Sequence, residues 1–151
     1  MTGITVSELI PVLQVAIGPM VLVSGVGLLI LSMTNRLSRI IDRGRSLVRE
    51  LPKVPEGGKE QIHAQVESLS RRARLLQRGI TLAVFSVLFA AVLVIVLFLT
   101  AAFRVESAYL IGALFVGAMA SLIVSLAYFI QELNQSLIAF KLDIGAWPEE
   151  K

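Results

Sequence analysis

Long stretches without a charge alternate along this chain with stretches where apolar residues recur every three or four positions. Three runs, 9–33, 79–103 and 108–130, contain no Asp, Glu, Lys, Arg or His. Each is longer than the ~20 residues that carry a helix across ~30 Å of hydrocarbon. The pattern predicts three transmembrane helices. The first is expected to be retained rather than cleaved, because the start MTGITVSELIP lacks the basic segment of a secretory signal. Pro11 falls where a missing N–H costs little, and Pro19 is expected to bend the helix.

Between the first two runs the period changes to that of an amphipathic helix. Leu37, Ile41, Gly44, Val48 and Leu51 form one heptad seam, widened by Ile40 and Leu47. PKVPEGG, residues 52–58, breaks it. A second seam, Ile62, Val66, Leu69, Ala73, Leu76 and Ile80, then leads into the second run. A third, Leu133, Leu137, Phe140, Ile144 and Trp147, follows the last run. Two seams around a breaker predict an antiparallel hairpin, and the tail would cover its wet face. In the competing arrangement the tail lies on the leaflet with Trp147 as an interfacial anchor. The expected fold is an all-α membrane protein whose three transmembrane helices extend into a cytoplasmic helical bundle. Its segments are an N-terminal membrane helix (1–34), a cytoplasmic hairpin (35–78), a membrane hairpin (79–131) and a cytoplasmic C-terminal helix (132–151).

Composition fits this class: 56% of the 151 residues are hydrophobic, 17% are charged, and the mean hydropathy is +0.80. The net charge of +3 matters less than its placement. Arg36, Arg39, Arg43, Arg45, Arg49, Lys53, Lys59, Arg71, Arg72, Arg74 and Arg78 lie between the first and second runs, and Arg104 alone lies between the second and third. The positive-inside rule then predicts a multi-pass protein with its N-terminus outside, 104–107 as an outer turn, and its C-terminus in the cytoplasm. The basic stretch carries no base-reading or aromatic-stacking pattern, so no nucleic-acid partner is expected.

Within the spans, faces are sorted by size and polarity. Gln14, Gly18, Val21, Gly25, Leu28, Ser32 and Asn35 form a stripe of mostly small or polar residues on the first span. Gly117, Ser121, Ser125, Tyr128, Glu132 and Gln135 form another on the third. Such stripes prefer protein or water to lipid. The second span, bulky and uniform, is expected to face lipid, so that Ala90→Leu would be tolerated. Three helices offer little interior for two stripes, which predicts a homo-oligomer with the first helices around an axis. The alternative is packing of the first and third spans within one chain.

The overall pattern, with SGVGLLILSMTNRLSRIIDRGRSL (24–47) and SLSRRARLLQRGI (68–80), resembles the bacterial domain-of-unknown-function 2721 family. The similarity covers nearly the whole chain, and NRLSRIIDRGR (35–45) with RRARLL (71–76) is its most specific part. The resemblance implies a small three-span bacterial inner-membrane protein and brings no catalytic residues with it.

Candidate chemistry is sparse. There is one histidine, no cysteine and no phosphate loop, so no enzyme, catalytic residue or cofactor is expected. Glu60, His63 and Glu67 share a helix face, which reads as a solvated surface rather than a metal site. The absence of intramembrane acids and histidines disfavours coupled transport. Two functions remain. One is a passive ion channel whose pore is lined by the Gln14–Asn35 stripe, partnered by the bilayer, further copies and inorganic ions. Arg36, Arg39, Asp42, Arg43 and Arg49 would form its vestibule or a partner surface. The other is a non-conducting scaffold whose basic bundle grips lipid or protein.

Overall fold

The computed structural model describes residues 6–103 and 108–145, with side chains described for 10–55, 57–103 and 108–136. The expected outer turn at 104–107, Trp147, and the side chains of Leu137, Phe140 and Ile144 lie outside the described residues. Three helices account for nearly everything described: α1 (Val6–Glu50), α2 (Glu56–Phe103) and α3 (Ala108–Gly145). At 45, 48 and 38 residues, they would run roughly 55–70 Å at 1.5 Å per residue. That is about twice the ~30 Å hydrocarbon thickness, so each helix is long enough to span a membrane and continue well beyond it. All three are also apolar enough to do so.

α1 runs unbroken through Pro11 and Pro19. The break that follows is shorter than the predicted 52–58. A 3-10 turn, Leu51–Lys53, is closed by the Val54 N–H on the Leu51 carbonyl, and α2 already begins at Glu56. The Pro55 carbonyl accepts the Gly58 N–H at 2.9 Å, so the two glycines lie in the first turn of α2. There helix propensity matters less than at mid-helix. Gly58 also leaves room for Val54, whose Cγ1 would stand 2.5 Å from an added Cβ.

Contacts divide the chain into two units. One takes the residues through Leu31 with 81–124, and the other takes 32–80 with Ser125 onward. The divisions fall at 31/32, 80/81 and 124/125, against sequence boundaries at 34/35, 78/79 and 131/132. In the first unit the buried positions are Ala16, Val26, Ala83, Ser86, Ala90, Leu93 and Ala118. In the second they are Met33, Ile40, Leu47, Leu76, Gly79, Ser125 and Glu132.

Two sequence expectations change here. On α1 the buried seam is Val26, Met33, Ile40 and Leu47, while Ile41 and Val48 are exposed. The inward face is therefore centred on the residues that had only widened the expected seam. In α2 the expected heptad holds, with Ile62, Val66, Leu69, Ala73 and Ile80 half-buried and Leu76 buried. It then continues through the apolar run as Gly79, Ala83, Ser86, Ala90 and Leu93.

The second span is thus not simply a lipid-facing helix. Of its apolar window 22% is buried, against 11% in each of the others. Ala90 is 1% exposed, so the expected tolerance of Ala90→Leu does not hold. The physical reason is that lipid is as apolar as leucine. Helices in a bilayer gain by bringing backbones close, which selects small residues for the shared face and leaves bulky Phe85, Leu88, Ile95 and Leu99 outside.

Candidate functional site

α3 meets α2 through its own polar stripe. In the first unit, the Ser121 hydroxyl donates to the Leu82 carbonyl at 2.7 Å. In the second, the Ser125 hydroxyl donates to the Gly79 carbonyl, also at 2.7 Å. Gly79 permits that approach, since an added Cβ would lie 2.9 Å from Met33 Cε and 3.4 Å from the Ser125 carbonyl oxygen. Ser86 is fully buried and its hydroxyl has no partner. A helical serine commonly turns back to the carbonyl four residues earlier, here Leu82, which already accepts from Ser121.

The stripe ends in the most charged part of the interior. Glu132 is 0% exposed and holds two arginines. Arg36 of α1 reaches its Oε2 with Nε at 3.1 Å and Nη2 at 3.0 Å. Arg72 of α2 reaches its Oε1 with Nη2 at 3.0 Å. The Arg36 guanidinium also lies 5.8 Å from the centre of the Phe129 ring. One carboxylate therefore ties together all three helices of the second unit. An ionised acid at such a depth is tolerated only when its oxygens are paired, and each oxygen here has its own cation. Two guanidinium groups against one carboxylate leave one positive charge in excess. The Arg72 Nε is buried without a partner.

The expected site residues are distributed differently. Gln14, Gly18, Val21, Gly25, Leu28, Ser32 and Asn35 are all on the exposed face of α1. Val21 is 67% and Leu28 72% exposed, and nothing of the chain approaches within 4 Å of a Cβ added at Gly18 or Gly25. The stripe turns away from the inward face: Leu28 and Asn35 are each two positions, about 200° of helix, from buried Val26 and Met33, Gly25 and Ser32 are one position, about 100°, from the same two residues, and Gln14 borders a groove with Val94 and Phe98 of α2. Packing within one chain satisfies the third-span stripe and leaves the first-span stripe outside. Arg39, Asp42, Arg43 and Arg49 are exposed. Arg36 is drawn inward onto Glu132. Glu60, His63 and Glu67 are exposed, and the described residues hold no group of three metal-ligating side chains.

The ion cluster was within reach of the sequence in one respect. Glu132 is an acid two residues past the last apolar run, and eleven cations lie between the first two runs. Which cations it takes, 96 and 60 residues away, was not legible.

A family model described as "Protein of unknown function (DUF2721)" matches residues 16–142. The match bears out the resemblance and takes in all of α2, most of α1 and α3, and the ion cluster. No curated protein and no solved structure matches the chain.

Proposed function

This chain belongs to the DUF2721 family, and we propose that it is a homo-oligomeric membrane protein in which the α1 helices of several copies line a shared axis that conducts inorganic ions passively. The observation that supports this is the exposure of the Gln14–Asn35 stripe. The amides of Gln14 and Asn35 and the hydroxyl of Ser32 lose their partners if lipid covers them, and glycines offer lipid little contact. A ring of copies gives the polar groups water or one another and lets the glycine faces approach. Neutral polar rings separated by apolar constrictions at Val21 and Leu28 suit passive conduction. The basic end of the protein faces the cytoplasm of a bacterial cell in this proposal, with Met1 outside.

A second reading, a non-conducting scaffold, is favoured by the exposed row of Arg39, Arg43 and Arg49, which is suited to gripping anionic partners. Two measurements separate them. The particle mass in nanodiscs reports assembly, and ion flux in liposomes reports conduction. The channel requires an oligomer that carries flux, with Gly18→Leu or Gly25→Leu breaking the assembly or blocking the path. An oligomer without flux leaves the scaffold. A monomeric wild-type particle overturns the assembly and the channel and leaves the scaffold.

A further inference from the structure

A groove of about 490 Å³ opens in the second unit, lined by Ala64, Glu67, Ser68, Arg71, Arg72 and Gln135. Arg72 also belongs to the ion cluster, where Glu132 fixes its guanidinium at 3.0 Å. The groove is therefore walled on one side by a cation whose position is already set. Arg71 stands beside it, exposed, and Ser68 and Gln135 add a hydroxyl and an amide from α2 and α3. Counting the groove and the cluster behind it, Arg36, Arg71 and Arg72 face Glu67 and Glu132, three positive charges against two negative. Water-accessible donors around a net positive charge, with one guanidinium immobilised in advance, are the chemistry of an anion site.

Depth narrows the ligand. Arg71 and Arg72 come eight and seven residues before the apolar run that begins at Gly79, about 10–12 Å along a helix. Gln135 comes five residues after Ile130, about 7–8 Å along a helix. The headgroup layer occupies about 5–8 Å on each side of the hydrocarbon, and arginine side chains reach back toward it. Measured along the helices, the groove begins at the outer edge of the headgroup layer, at Gln135, and extends beyond it through Arg72, Arg71 and Ser68, within reach of phosphate groups carried by lipids or free in solution. We propose that it binds a phosphate-bearing anion through Arg71, Ser68 and Gln135, beside the Arg72 that Glu132 holds in place. Glu67 sits on the same wall four residues before Arg71 and competes for it. Removing that acid therefore tightens the site.

The test uses the full chain in detergent. Native mass spectrometry would count adducts of phosphatidylglycerol against phosphatidylcholine, and inorganic phosphate would be added as a competitor. Wild-type protein is expected to retain phosphatidylglycerol selectively. Loss of one charge-assisted bond in Arg71→Gln should weaken it by about tenfold. Glu67→Gln should strengthen it, and Lys53→Gln, exposed in the turn between α1 and α2, should leave it within about twofold, as for a distant surface charge. Circular dichroism checks that each variant folds, and Gln135→Ala gives a second reduction should Arg71→Gln fail to fold. Displacement by inorganic phosphate assigns the site to soluble anions as well; no displacement assigns it to lipid headgroups. Two results overturn the proposal: neither probe binding above the phosphatidylcholine control, or Arg71→Gln and Lys53→Gln weakening binding equally.

Discussion

Replacing Glu132 by Gln removes the charge that holds Arg36 and Arg72 while nearly preserving shape. Breaking a buried ion pair by neutralising one member typically costs about 3–5 kcal/mol, because the remaining charge stays buried and uncompensated. Here two cations are released, but neither is fully enclosed: the Arg36 side chain is 34% and the Arg72 side chain 18% exposed. Partial rehydration lowers the expected loss to about 2–4 kcal/mol. At a few degrees per kcal/mol for a chain of this size, the midpoint of thermal unfolding should fall by roughly 5–15 °C. Circular dichroism at 222 nm in a mild detergent would measure it, with Glu60→Gln on the exposed face of α2 as the control. A triple variant, Arg36→Met, Arg72→Met and Glu132→Leu, should recover most of the loss, because removing all three charges strands none of them. A midpoint for Glu132→Gln within about 1 °C of wild type would refute the reasoning, since even a loss of about 2 kcal/mol corresponds to several degrees. A triple variant no better than Glu132→Gln would show that the loss came from shape and not from stranded charge.

Three further outcomes follow from the helix faces. Ala90→Leu should destabilise the single chain by about 1–3 kcal/mol through overpacking, whereas Gly25→Leu should leave the melting of a dissociated chain unchanged and act on assembly alone; equal effects on melting would contradict the assigned faces. Leu76→Asp places an unpaired charge at a fully buried position and should cost several kcal/mol, about 3 or more, while Ser68→Asp nearby should be close to neutral, as read by the same thermal melts. Gly79→Leu should be more damaging than Gly18→Leu to the unfolding midpoint, because Met33 and Ser125 crowd position 79 and nothing of the chain stands near position 18.

The elements were legible along the chain. Three uncharged runs, a Pro- and Gly-rich break and the heptads beside it are local properties, and they set three long helices and the turn between the first two. The sequence also determined that the face of α2 beyond the membrane would be buried, because there the contrast between Leu69 or Leu76 and the surrounding arginines marks the inside. Inside the apolar runs that contrast vanishes: nearly every residue suits lipid, so hydrophobicity could not distinguish the packed face of the second span from its lipid face. Tertiary structure made that choice by backbone approach, burying Gly79, Ala83, Ser86 and Ala90 and turning Phe85 and Leu88 outward. It also rotated the inward face of α1 onto Ile40 and Leu47, left the Gln14–Asn35 stripe outside, and turned the third-span stripe onto the chain's own helices. Above all it decided the fate of Glu132. Many cations were available to one acid at the membrane edge, and only the crossing of three helices brings Arg36 and Arg72 to its two oxygens, because an ion pair is set by distance in space and the sequence records only distance along the chain.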